Sequence, residues 1–247
     1  MQTLSMVNAP IHRGVDVRGI LLVALGLSIL VWMIPGASMV LIPITPYVTF
    51  VHEGWHAFAA IATGGHVSAV HIFGIRGGGI TQIAGGATLL IASAGYVGSA
   101  LTGTLYLALL PRPHMLRMAI IGQYLWLVVV VLLWDHDLNA LGYLVFFGGA
   151  LYALAAWLPE RWFAIVMGFL ALQLALAVLG DLQTLLFLSA TSRQHSDAVV
   201  AAQVTHLPGI LWAVLWTCMS GLALLWSFQL LLTYPGQHRP RIASRYS

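Results

Sequence analysis

Lysine is absent from this 247-residue chain, so all ten of its cations are arginines. Charged residues of either sign make up only 7% of it, and glutamate occurs twice, as Glu53 and Glu160. So few charges cannot clothe a soluble domain of this length. A net charge of +3, carried by arginines scattered at segment ends and in the tail GQHRPRIASRYS, argues for anchoring at a membrane edge and against a nucleic-acid surface. The single cysteine, Cys218, excludes an internal disulfide and any Cys-rich metal site. No stretch is long and polar enough for a separate soluble domain, and no internal repeat or low-complexity linker is visible.

What is there is apolar. Hydrophobic residues form 60% of the chain and the mean hydropathy is +0.92. A bilayer is crossed by about 20 apolar residues in a helix. The expectation is therefore an all-α polytopic membrane protein of about six to seven transmembrane helices, in contact with lipid. Candidate helices fall at 19–34, 44–63, 88–110, 115–134, 139–158, 162–190 and 209–233, punctuated by Pro35-Gly36, Pro43, Pro111-Arg112-Pro113 and Pro159. Arg13 and Arg18 before the apolar run 20–34 imitate a signal peptide, but the spans that follow favour a retained first helix. We expect one integral membrane domain over 1–247: two first helices (19–63), a non-helical insert (66–83), the remaining helices (88–233) and a polar basic tail (234–247).

The insert HVSAVHIFGIRGGGITQI alternates β-branched and aromatic residues with small or polar ones and is broken by Gly77-Gly78-Gly79. It reads as a short β-hairpin or re-entrant segment, whose backbone at membrane depth must be buried in protein or face a wet cavity. Gly95, Ser99 and Gly103 repeat every four residues, the spacing that lets membrane helices approach closely. SRQHSDAVVAAQVTHLP reads as a short helix with Ser196 or Asp197 as N-cap and Pro208 at its end. Seven spans would put the termini on opposite sides, yet both are arginine-bearing, so orientation stays open.

The chemistry sits in FVHEGWHAFAAIATGGH. On a helix His52 and His56, four apart, present two imidazoles to one ion, and Glu53 on the adjacent edge can reach a water on that ion. This is the H-E-x-x-H arrangement of zinc peptidases, with Glu53 as general base. Two histidines merely hydrogen-bonded within the bundle are the alternative, but that leaves a carboxylate near the bilayer core to be explained.

A third ligand is sought by elimination. The extended metzincin pattern fails, because positions 59 and 62 are both alanine, and no acidic residue lies between Glu53 and Asp135. Asp137 and Asp197 each begin a helix, so capping accounts for them. Asp135 and Glu160 fall in short polar loops. Asp181 lies inside an apolar run with no basic neighbour in sequence, and is the favoured ligand. Bonding to Gln183 or Thr184, or protonation, would also account for it. His66 and His71 are weaker candidates, since five apart on a strand they point to opposite faces.

These stretches, together with GIRGGGIT, SAGYVGSALTG, LNALGY, LGDLQTLLF and HSDAVVAAQVTHLPGILWAVLW, resemble the site-2 protease family of intramembrane zinc metallopeptidases. The nearest likeness is to its compact bacterial, peptidase M50B-like branch, and it runs from about residue 50 to 230. The resemblance implies one Zn2+ held by His52, His56 and Asp181, with Glu53 activating water to cut a transmembrane or membrane-proximal peptide. It also implies a multi-pass protein of a bacterial cell membrane. Where the family carries Leu-Asp-Gly, this chain has Leu179-Gly180-Asp181. Gly78, Gly79 and Thr81 are candidates to hold an unwound substrate by strand addition, and Asn139 to donate to its backbone. A non-proteolytic metal-binding scaffold of the same fold is the alternative, which an intact Glu53 argues against. A transporter would predict paired broken helices, which the sequence does not show.

Overall fold

The computed structural model describes residues 16–33, 39, 41–42, 44–73, 78–135, 137–188 and 196–233; the side chains of 32, 178 and 180–188 fall outside that description. Within it are eight helices and one two-stranded antiparallel sheet. In chain order these are α1 (Val17–Met33), α2 (Thr45–Ala62), β1 (His66–Ile72), β2 (Gly79–Ala84), α3 (Thr88–Leu109), α4 (Pro113–Trp134), α5 (Leu138–Trp157), α6 (Glu160–Leu188), α7 (Asp197–Thr205) and α8 (Gly209–Thr233). Five of them, α3, α4, α5, α6 and α8, are long and apolar enough to cross a membrane. The protein is an all-α polytopic membrane protein with a small sheet inserted after its second helix.

Local chemistry accounts for the boundaries. α1 starts two residues earlier than hydropathy suggests, because the Asp16 carboxylate accepts the Gly19 N–H at 3.1 Å. Pro46 and Pro113 lie in the first turns of α2 and α4, where a missing N–H costs nothing. α2 ends at Thr63-Gly64, and Gly64 takes φ +78°, a left-handed turn that glycine adopts without strain. The insert is a hairpin: His66 pairs with Ala84 and Ile72 with Gly79, with a register shift between Val67 and Ala69.

Packing fixes the direction of each helix. Tyr47 and Tyr106 meet through their hydroxyls at 3.4 Å, and Trp55 donates to Thr102 at 3.0 Å, so α2 and α3 are antiparallel. A Cβ on Gly103 would strike the Ala171 carbonyl and lie 3.1 Å from the Ala175 nitrogen, and one on Gly168 would lie 3.6 Å from Leu110. α6 therefore runs against α3. α1 runs parallel to α6, with Gly168 beside Ile20 and Ala24 and with Gln173 donating to Ser28 at 3.2 Å. α8 runs parallel to α3, since Trp216 reaches Ser93 at 3.1 Å and Ser227 reaches the Thr104 carbonyl at 3.4 Å.

The main core joins α1 to α6, the hairpin and, through Leu231, α8, with Phe50, Tyr106, Leu107, Phe163 and Met167 fully enclosed. A second, smaller core consists of Ala92, Tyr96, Ala198, Ala201, Ala213 and Trp216. It glues the short α7 onto α3 and α8.

Candidate active site

α2 presents His52 and His56 on one face, as the four-residue spacing requires. Their Nε2 atoms lie 2.9 Å apart. The Nδ1 of His56 faces the Ile91 carbonyl at 2.7 Å. A carbonyl only accepts, so a proton sits on Nδ1, and Nε2 is the ring atom that faces His52 and the cluster. α3 leaves room for both rings at Gly95, where an added Cβ would come within 2.6 Å of His56 Nε2 and closer still to His52. Tyr96 sets its ring edge-on to His52, with centroids 4.6 Å apart, and stacks on Trp216 at 5.2 Å.

The third group is Asp197. Its Oδ2 lies 3.0 Å from His52 Nε2 and 3.3 Å from His56 Nε2. Among the described residues these three form the one cluster whose donor atoms all lie within 4.8 Å of one another. The reading of Asp197 as a helix cap is corrected here. Ser196 is the N-cap, accepting from the Val199 N–H at 3.4 Å, and Asp197 is the first helical residue, free to turn its carboxylate to the histidines. Burial works against charge on that carboxylate, but the His56 and His52 imidazoles facing it hold it well below the usual carboxylate range. Asp137, by contrast, does cap α5, accepting from the Asn139 N–H at 3.0 Å.

Glu53, 5% exposed, turns to the hairpin. Thr81 donates its hydroxyl to Glu53 Oε2 at 2.6 Å. A Cβ on Gly79 would lie 2.8 Å from Oε1, so only glycine lets β2 approach the base this closely. Gly78, at φ +101°, directs its N–H to Thr49 Oγ1 at 3.4 Å. Gly78, Gly79 and Thr81 thus lie along α2 beside Thr49 and Glu53. Asn139 is exposed at the start of α5, its side-chain amide donating to Asp137 at 3.2 Å. Asp181 lies on α6, and its side chain is outside the described residues.

Two imidazoles and an ionised carboxylate, with one imidazole oriented by a backbone carbonyl, are a donor set that suits zinc and leaves a fourth position free. The residues present fit that metal. A bundle of apolar helices enclosing a His–His–Asp cluster beside a glutamate defines a membrane protein built around a metallopeptidase-type site. A sequence profile of the Peptidase M50B-like family matches residues 21–227, so the chain belongs to that family, the compact branch of the site-2 proteases. No curated protein matches the chain, and no solved structure does.

Proposed function

We propose that the protein is an intramembrane zinc endopeptidase of a multi-pass cell membrane, with His52, His56 and Asp197 as ligands and Glu53 as general base. One observation carries this reading: a carboxylate 145 positions away in sequence meets both imidazoles of the H-E-x-x-H helix, with the glutamate of that motif beside them. Bound zinc would supply Lewis acidity and lower the pKa of a water to around 7.

The chain's own residues would do the rest. Glu53 takes a proton from the attacking water on Oε1 and returns it to the leaving amine, while Thr81 holds Oε2 and fixes the carboxylate plane. The Ile91 carbonyl keeps His56 in its ligating tautomer. Transmembrane substrates hide their amides in helices and must unwind before cleavage. β2 has no strand on its outer edge among the described residues, so the unwound chain can pair there, with Gly78 and Gly79 allowing close approach.

Metal content of detergent-purified protein tests the ligand set. Wild type is expected to carry stoichiometric zinc, which His56→Ala and Asp197→Ala lose and Asp181→Ala keeps. Loss with Asp181→Ala and retention with Asp197→Ala would return the third position to Asp181. Zinc absent from wild type after supplementation would overturn the peptidase reading and leave a scaffold. With zinc in place, a Glu53→Gln variant that still loads metal is the trap with which to capture transmembrane substrates.

A further inference from the structure

The hairpin is a fixed part of the molecule. Val67, Val70 and Ile72 of β1 are buried in the main core, and at the neck of the hairpin Ala87 donates its N–H to Thr63 at 3.1 Å. Hydrogen bonding alternates from one pair to the next along such a ladder. Phe73 donates to the Gly78 carbonyl at 2.7 Å, so His71 and Ala69, at steps of two, also face β2 with their main-chain groups. Ile72 lies between Phe73 and His71 and turns its N–H to the outer edge of β1.

Asp135 occupies that edge. It follows the last turn of α4, where its own N–H donates to the Val131 carbonyl at 3.1 Å, and its Oδ1 accepts the Asp137 N–H at 3.1 Å. The Ile72 N–H and the His71 side chain face the same buried carboxylate. A polar group enclosed to this degree is costly unless donors turn to it. Those donors come from the hairpin and from the α4–α5 link, so Asp135 fastens the end of β1 to the end of α4.

The fastening bears on the base. Ile72 pairs with Gly79 across the ladder. A Cβ on Gly79 would lie 2.8 Å from Glu53 Oε1, and two residues further on Thr81 donates to Oε2 at 2.6 Å. Paired strands keep a spacing of about 4.8 Å, so a shift of Ile72 is passed on to Gly79 and Thr81. Among the described residues Thr81 is the one hydrogen-bond donor to the Glu53 carboxylate.

We propose that Asp135 is a positioning residue for Glu53: by holding the outer edge of β1 it sets, through the Ile72–Gly79 pair, how closely β2 and the Thr81 hydroxyl seat on the base. It hydrogen-bonds neither the base nor the His–His–Asp cluster among the described residues. That Glu53 acts as a base rests on the peptidase reading, whereas the path from Asp135 to its carboxylate does not.

Cobalt(II) loaded in place of zinc tests this without a substrate, on the detergent-purified full chain. The visible absorption of the bound ion changes with pH as the base beside it titrates. Wild type and every variant should bind one equivalent. Thr81→Val removes a hydrogen bond to the ionised base and should raise the midpoint of that change by about one pH unit. Asp135→Ala should move it in the same direction by roughly half as much, while Asp135→Asn, which keeps the shape and an acceptor, stays near wild type. An unshifted midpoint in Asp135→Ala overturns the proposal, whether or not Thr81→Val moves. So does a downward shift shared by Asp135→Ala and Asp135→Asn, because that is the loss of one negative charge acting through space. Should Asp135→Ala not fold, Asp135→Glu replaces it: the charge is kept and the arm lengthened, so a moved midpoint supports the role and a wild-type one overturns it. Wild type that takes up no cobalt overturns the peptidase reading and the role together, a result distinct from a loaded protein whose midpoint does not move.

Discussion

Asp197 and Ser196 are neighbours that do different work, and single substitutions separate them. Ser196→Ala removes a helix cap and should cost about 1 kcal/mol of stability, with zinc content unchanged. Asp197→Ala should lose the metal while α7 keeps its cap; equal metal loss in both variants would mean that Asp197 acts only by holding α7. Asp135 offers a second test at this scale. It is 2% exposed, accepts from the Asp137 N–H at 3.1 Å on one oxygen and leaves the other without a hydrogen-bond partner. Burial pushes its carboxyl up, against the opposing pull of that N–H and of His71. A raised folded-state pKa means stability that is present at low pH and lost as pH rises through that pKa. Asp135→Asn has no such loss, so as pH rises above the ordinary carboxylate range, about pH 4, its thermal midpoint should gain on wild type. Parallel pH profiles for the two proteins would refute this.

At the scale of elements, α3 is the surface on which the site is assembled, and its small residues serve different neighbours. Gly95 accommodates the two imidazoles, Gly98 lies under the Trp55 ring, and Gly103 lets α6 approach. The small-residue spacing is a packing device at Gly103 and a cavity for the site at Gly95. Gly95→Ala should therefore abolish zinc binding while leaving helicity intact. Gly103→Ala meets backbone that cannot rotate aside, and should destabilise by about 1–3 kcal/mol with zinc stoichiometry unchanged in the protein that remains folded. Metal titration beside thermal unfolding in detergent distinguishes the two.

For the whole molecule, the main core and the site are built from different contacts. The main core joins α1 to α6 and takes in Leu231 of α8, whereas Asp197 is held by the small cluster of alanines around Tyr96 and Trp216. Stripping the metal with a chelator should therefore leave far-ultraviolet circular dichroism unchanged and loosen α7 alone, seen as faster proteolysis within 196–208. Global loss of helix would show that the metal is part of the folding core. The direction of the helices belongs to this scale too, because no single link reveals that α1 and α2 run the same way.

Much of this was legible in the residues themselves. Apolar runs of bilayer length, proline punctuation and the β-branched insert determine eight helices and a hairpin, because those signals act over a few neighbouring residues. The pair His52 and His56 is equally local, being set by the pitch of one helix. The meeting of Asp197 with them is not. At the start of a short helix its carboxylate reads as a cap, and the small core that docks α7 onto α3 and α8 leaves no periodic trace. The room at Gly95, the hydroxyl of Thr81 on Glu53 and the shared end of α1 and α8 are likewise contacts between segments far apart in the chain. Local periodicity determined the elements and two of the site's groups; only packing at long range decided which carboxylate joins them and at which end of the bundle they lie.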